Sequence, residues 1–227
     1  MKNIIFLAPP AAGKGTCSDI LKNTYDCKHI STGAILRSEI ASQSSLGKEI
    51  KKIIDAGKLV SDDYMIKLIE ETLSKLDKPF ILDGFPRTIN QAKNLSILFD
   101  KLNISNYIVI YLNIDKELAL KRTLGRVTCD KCGRSYNIFF DGFKPKVEGI
   151  CDDCKTPLTV RGDDNEESFK VRFDTYVQNT LPIIEYYKDL NKLVEIDVNK
   201  KDLNLKEKLI TLKDNVGDSK LMEILSD

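Results

Sequence analysis

The residues best placed for chemistry come first in the chain: an apolar run, Ile4 to Leu7, leads through Ala8-Pro9-Pro10-Ala11-Ala12 into Gly13-Lys14-Gly15-Thr16. A strand, a Gly/Pro-rich turn and a lysine at a helix start make an anion cradle. Backbone N–H groups point inward, the helix N-terminus adds positive potential, and Lys14 reaches the outer phosphates of a nucleoside triphosphate. Two positions where such loops usually carry glycine hold Ala8 and Ala11. Taken alone, the loop also fits an ordinary strand-to-helix turn. Lys2 and the apolar residues after it imitate a short signal peptide, but a cleaved segment has no reason to run straight into Gly13-Lys14-Gly15-Thr16.

A second constellation lies far downstream. Cys129-x2-Cys132 and Cys151-x2-Cys154, separated by eighteen residues, supply two pairs of thiolates to one tetrahedral ion, the spacing of structural zinc. Disulfides are the competing reading, and nothing else in the chain suggests an oxidising compartment. Cys17 and Cys27 stand apart and read as small buried hydrophobes. The single histidine, His29, leaves little scope for imidazole chemistry and reads as structural, on a strand.

Composition narrows the remaining classes. With 227 residues the chain buries one sizeable core and carries small inserts. A net charge of +1 argues against a broad basic face for nucleic acid. No apolar run approaches a membrane span, so a soluble, cytoplasmic protein is expected. Any phosphate site must then be built by gathering Arg and Lys locally.

These groups need a scaffold, and the apolar pattern supplies one. Strands are expected at Ile4 to Leu7, Lys28 to Ile30, Phe80 to Leu82, Tyr107 to Leu112 and Leu193 to Ile196. Helices are expected at 14–23, 34–41, 47–56, 62–76, 89–102, 116–124 and 168–188, with Pro182 bending the last. Strand and helix alternate, which predicts an α/β fold with a parallel sheet covered on both faces. Residues 125–164 break the alternation and read as a small β-rich insert stapled by metal. Leu205 to Val216 looks helical, and a charged tail, 218–227, follows Gly217.

Several separated motifs together resemble one family. Beside the loop and the cysteine quartet stand Ser31-Thr32-Gly33 with Leu36-Arg37, Asp55-Ala56-Gly57-Lys58-Leu59-Val60, Asp83-Gly84-Phe85-Pro86-Arg87-Thr88 with Gln91, Gly125-Arg126, and Arg161 with Asp163, Asp164 and Arg172. The chain resembles the adenylate kinases of the long, zinc-containing type, over nearly its whole length and in the family's order.

The resemblance implies a three-layer P-loop fold with a five-stranded parallel sheet. Its core would comprise residues 1–30, 61–124 and 165–227, an NMP-binding insert 31–60, and a zinc-binding lid 125–164. It implies reversible phosphoryl transfer from ATP to AMP, giving two ADP, with Mg²⁺ beside ATP and Zn²⁺ in the lid. Such transfer assembles roughly six phosphate charges and needs cations rather than a nucleophile. Lys14, Arg37, Arg87, Arg126, Arg161 and Arg172 supply six positive charges, and Arg122, one helical turn before Arg126, adds a seventh.

By resemblance, ATP is held by Ala11, Ala12, Gly13, Lys14, Gly15, Thr16, Arg122, Arg126, Ser135, Tyr136 and Lys200. AMP is held by Thr32, Arg37, Lys58, Leu59, Val60, Gly84, Phe85, Pro86, Arg87, Gln91, Arg161 and Arg172. Lys14, Asp83, Arg87, Arg126, Arg161 and Arg172 carry the reaction, Asp83 by orienting waters on Mg²⁺. Gln91 reads adenine through its amide, although Thr88-x-x-Gln91 is also a capping box. A monomer is expected.

Departures from the family pattern are Ala34, where Asp is common, and Val198, where glycine is frequent near the ATP base, besides Ala8 and Ala11. They keep a non-catalytic nucleotide sensor in view, and a GTP-dependent or other NMP kinase within the enzyme class. A zinc-ribbon nucleic-acid module is disfavoured by charge, because residues 125–164 carry seven Lys/Arg against seven Asp/Glu.

Overall fold

The computed structural model describes residues 2–199; Lys200, the expected helix Leu205 to Val216 and the tail lie outside them. Five parallel strands form one sheet: β1 (Asn3–Leu7), β2 (Lys28–Ser31), β3 (Phe80–Asp83), β4 (Tyr107–Asn113) and β7 (Leu193–Asp197), each within a residue of its expected place. Their order across the sheet is β2-β3-β1-β4-β7. A second, two-stranded antiparallel sheet, β5 (Arg126–Thr128) with β6 (Ser135–Asn137), belongs to the cysteine-bearing segment.

Side chains alternate across the main sheet as the pleat requires. Ile5 and Leu7 join one core with Met65, Ile69 and Leu73 of α4 (Asp62–Leu73), Leu95 and Phe99 of α5 (Ile89–Lys101), and Ile183 and Tyr187 of α8 (Leu181–Asp189). Ile4 and Phe6 join the other, with Cys17 and Leu21 of α1 (Lys14–Thr24), Leu118 of α6 (Lys116–Leu124) and Phe169 of α7 (Glu166–Thr175). β3 is buried along its whole length, so Asp83 ends a strand from which water is excluded. Each fully buried Ile, Leu or Phe contributes about 1.5–3 kcal/mol to holding that strand in register.

Helix boundaries differ from the sequence reading by a few residues in several places, and three of the differences have a local reason. α2 (Thr32–Ala41) begins two residues early, because Ser31 accepts the Ala34 N–H and acts as its N-cap. α4 stops at Leu73, where the Ser74 hydroxyl donates back to the Glu70 carbonyl. The expected helix 168–188 divides into α7, a π segment Tyr176–Thr180 and α8, with Pro182 in the first turn of the new helix, where its missing N–H costs nothing.

Candidate active site

The phosphate loop leads from the buried end of β1 into α1, whose N-cap Gly13 is left-handed (φ 101°). Ala12 is buried in the core beneath, which fixes the loop to the sheet. Lys14 Nζ donates to the Ala8 and Pro9 carbonyls, both at 3.3 Å, so the ammonium folds back over the loop mouth. Burial, opposed by Asp83 but reinforced by the charges of Arg87, Arg172 and Arg126, lowers its pKa to about 8. Ala11 sits at φ 58° and Ala8 does not share that left-handed geometry, so only one of the two missing glycines is conformationally felt.

Asp83 faces this lysine from the end of β3. Burial alone would raise its pKa, but the His29 ring and the Lys14 charge hold it below the usual carboxylate range. His29 Nε2 stands 3.6 Å from Asp83 Oδ2, and Nδ1 stands 3.9 Å from Asp19 Oδ1. The histidine read as structural therefore touches an expected catalytic group.

Across the C-terminal end of β2 and β3 opens a cavity lined by Thr32, Gly33, Leu36, Arg37, Lys58, Leu59, Val60, Met65, Gly84, Arg87, Gln91 and Arg172. Nine residues expected to hold AMP line it together. Three local features build its walls. α3 (Ser45–Asp55) ends in a Schellman motif: Gly57 (φ 68°) donates to the Ile54 carbonyl and Lys58 to that of Ile53, which turns Lys58, Leu59 and Val60 along the rim. Gly84 (φ 90°) has Thr32 Oγ1 against it; a Cβ there would come within 2.6 Å of that hydroxyl, so no other residue fits. Thr88 caps α5 by accepting the Gln91 N–H at 3.1 Å.

Phe85, by contrast, is 1% exposed and packs into the core, so it offers the cavity no side-chain surface. Arg87 Nε donates to the Gly84 carbonyl at 2.7 Å; desolvation and the neighbouring Arg172 lower its pKa. Gln91 is buried, its Nε2 donating to Asp62 Oδ1 and its Oε1 accepting the Arg87 N–H, both at 2.7 Å. Only the Thr88 half of the expected capping box forms, the Gln91 oxygen accepting from Arg87 N–H instead of Thr88 N–H, and the cavity position coexists with it, since each end of the amide keeps one further hydrogen-bonding capacity.

The remaining arginines arrive from the two ends of the cysteine-bearing segment. Arg126 grips Asp164 with two nitrogens, Nε at 2.7 Å from Oδ2, and Arg172 Nη1 lies 2.9 Å from Asp163 Oδ2. Asp164 is fully buried beneath them. Burial and the charges of Arg126 and Arg37 lower the Arg161 pKa to about 10, the mark of cations crowded together. Asp163 and Asp164 were legible as motif members, but their role as holders of guanidinium groups was not.

Two residues of the expected ATP set make side-chain contacts within the protein. Arg122 Nη2 donates to the Val198 carbonyl at 3.1 Å, at the end of β7, so it meets the chain beside the expected base contacts instead of the phosphates. The Val198 side chain is core packing. Tyr136 is buried, its hydroxyl 3.5 Å from Cys151 Sγ and accepting the Asp152 N–H at 2.8 Å, while Ser135 is exposed.

The four cysteines meet as the spacing predicts: one ligand atom from each of Cys129, Cys132, Cys151 and Cys154 lies within 4.8 Å of the others. Cys132 and Cys151 Sγ are 3.7 Å apart. Four thiolates about 2.3 Å from a tetrahedral Zn²⁺ stand roughly 3.8 Å from one another, so the cluster fits the ion and not a disulfide. Thr156 Oγ1 stands 3.2 Å from Cys129 Sγ, on the rim of this cluster.

Comparison with known proteins agrees with this geometry. The family model for adenylate kinase matches residues 6–192. The adenylate kinase of Treponema denticola is 46% identical over 197 residues, 86% of this chain and 91% of the relative. That of Fervidobacterium nodosum is 44% identical over 200 residues, 87% and 91% of the two chains. That of Borreliella burgdorferi is 41% identical over 211 residues, 92% and 97%. A phosphate loop, a guanidinium cluster and matches of this extent in the same chain have one explanation: the chain belongs to the adenylate kinase family and is a nucleotide-binding phosphotransferase.

Proposed function

We propose that the protein catalyses reversible, Mg²⁺-dependent phosphoryl transfer from ATP to AMP, giving two ADP, without a covalent enzyme intermediate. The observation that carries this reading is the cavity beside the phosphate loop, where the residues matching the family's AMP contacts converge on a cluster of cations. The AMP phosphate sits between Arg37 and Arg87, and the ATP phosphates sit on the loop under Lys14. An oxygen of the AMP phosphate attacks the γ-phosphorus in line as the bond to the β,γ-bridging oxygen breaks. Arg126 and Arg172 exchange Asp164 and Asp163 for the moving group, whose charge they stabilise together with Arg161.

Mg²⁺ bound with ATP would supply charge neutralisation at the phosphates. Asp83, ionised and beside Lys14, orients its waters. Arg122 and the Val198 backbone serve the base end of ATP, with Asn199, whose Oδ1 accepts the Asp115 N–H at 2.7 Å, and Lys200. Tyr136 and Ser135 approach ATP through backbone. Cys129, Cys132, Cys151 and Cys154 would hold Zn²⁺, which would stiffen residues 125–164 as a lid that excludes water; residues 31–60 form the NMP insert, and 1–30, 61–124 and 165–227 the core. The enzyme works as a cytoplasmic monomer on free nucleotides, not on nucleic acid or at a membrane; among the described residues no helix is long and apolar enough to cross one.

A coupled assay of ADP formation over a matrix of NTP donors and NMP acceptors tests the reading. Turnover fastest with ATP and AMP is expected, and no ADP from that pair overturns it. Best turnover with GTP would move the donor assignment alone.

A further inference from the structure

We infer that Asp62 is a specificity-determining residue for the acceptor base: by fixing which way round the Gln91 amide stands, it makes the cavity accept a 6-amino purine and reject a 6-oxo purine. The inference rests on the proposed reading of this cavity as the AMP site.

Asp62 opens α4, outside the motifs that mark the nucleotide sites. Its Oδ1 accepts from Gln91 Nε2 at 2.7 Å and its Oδ2 accepts from the Thr88 hydroxyl at 3.0 Å. The opposite end of the Gln91 amide accepts the Arg87 N–H at 2.7 Å. Gln91 is only 2% exposed, so no water stands in for a lost partner. An amide can ordinarily flip, exchanging donor for acceptor at small cost. Here it cannot. A carboxylate only accepts and a backbone N–H only donates, so the flipped amide would set oxygen against oxygen and N–H against N–H in a buried site.

The consequence lies in what the amide has left to offer. One N–H and one oxygen lone pair remain, in a fixed order, on a residue that lines the cavity. Adenine presents an acceptor at N1 beside a donor at N6, which that pair satisfies. A 6-oxo purine presents a donor at N1 beside an acceptor at O6, which demands the amide the other way round. Sites built to pair a substrate's polar edge reject the unpaired analogue strongly.

The test compares kcat/KM for AMP and inosine monophosphate, ATP as donor, in wild type, Asp62→Asn and Gln91→Leu, with thermal midpoints recorded for each. In Asp62→Asn the new side-chain amide offers Gln91 either a donor or an acceptor, removing one of the two constraints on the glutamine. The AMP/IMP preference is expected to fall about tenfold or more, mostly through KM. Loss of both activities in equal proportion would be a merely structural effect and would overturn the inference. So would an unchanged preference in Asp62→Asn alongside a lost preference in Gln91→Leu. An unaltered AMP KM in Gln91→Leu would instead refute the adenine reading of the cavity. Should Asp62→Asn fail to fold, Asp62→Ser, which also removes the obligate acceptor, carries the same comparison.

Discussion

The parallel-sheet core and the cysteine-bearing segment both deliver cations to one site, yet they are held together by different forces. The core buries Ile4, Ile5, Leu7, Ile81, Leu82, Val109 and Leu112 to within 1% of complete exclusion from water. The segment 125–164 has a cluster of just three buried residues, two of them the ligands Cys129 and Cys151 and the third Tyr136, whose hydroxyl serves Cys151. Three side chains cannot offset the conformational entropy of ordering some forty residues, at about 1–2 kcal/mol each for the backbone. The difference teaches where each part is vulnerable: the core to lost packing and, on the proposed zinc reading, the cysteine-bearing segment to lost metal.

The largest expected effect tests the core side of this contrast. Lys14→Met should lower kcat/KM by about 10²–10³, the usual loss when one preorganised charge is removed, while leaving the melting temperature intact. A large fall in stability would show that the lysine holds the loop together. Its pKa of about 8 adds a pH signature. ATP affinity should weaken as pH rises through about 8, and binding near that pH should take up a proton, read by calorimetry in buffers of differing ionisation enthalpy. The sign for stability is opposite: between about 8 and 10.5 the unfolded chain keeps a proton that the folded one has released, so the penalty for burying the Lys14 charge fades and stability rises with pH.

On the lid side, chelation should lower the thermal midpoint by several degrees before it abolishes transfer, and Cys151→Ser should reproduce this. Structural zinc is worth on the order of 10 kcal/mol to the segment it folds. A metal-free protein that melts unchanged would refute the contrast. Smaller still, Ala34→Asp should tighten the Mg²⁺ dependence of turnover a few-fold by adding a carboxylate next to Asp83's end of the sheet. Ala34 is exposed and its N–H already satisfied by Ser31, so the substitution costs the fold nothing. An identical Mg²⁺ titration would leave Asp83 sufficient alone.

The smallest effect has a sign that depends on the backbone. Ala11, at φ 58°, carries left-handed strain of about 1 kcal/mol, so Ala11→Gly should stabilise by a few tenths once glycine's greater unfolded freedom is subtracted. Ala8→Gly has only that cost and should destabilise. Equal midpoints for the two variants in denaturant melts would contradict this.

What could be read along the chain was whatever depends on neighbours in sequence. The five strands followed from short apolar runs between helical periods, the phosphate loop from Gly13-Lys14-Gly15-Thr16, and the metal cluster from two short cysteine pairs whose register each fixes locally. Helix ends were read less well, because Ser31 and Ser74 set them by single hydrogen bonds that no periodicity records.

Tertiary structure alone decided which polar groups meet. Asp62 and Gln91 are 29 residues apart, Arg126 and Asp164 38 apart, and Arg122 and Val198 76 apart. The Tyr136 hydroxyl meets Cys151 Sγ and the Asp152 N–H, 15 and 16 residues further on. Side-chain hydrogen bonds have no repeat along the chain, and their direction, donor toward acceptor, exists only once the backbone has brought the two ends together. The sequence by itself therefore determined which chemistry the chain carries, and the packing of distant segments determined which way each group faces.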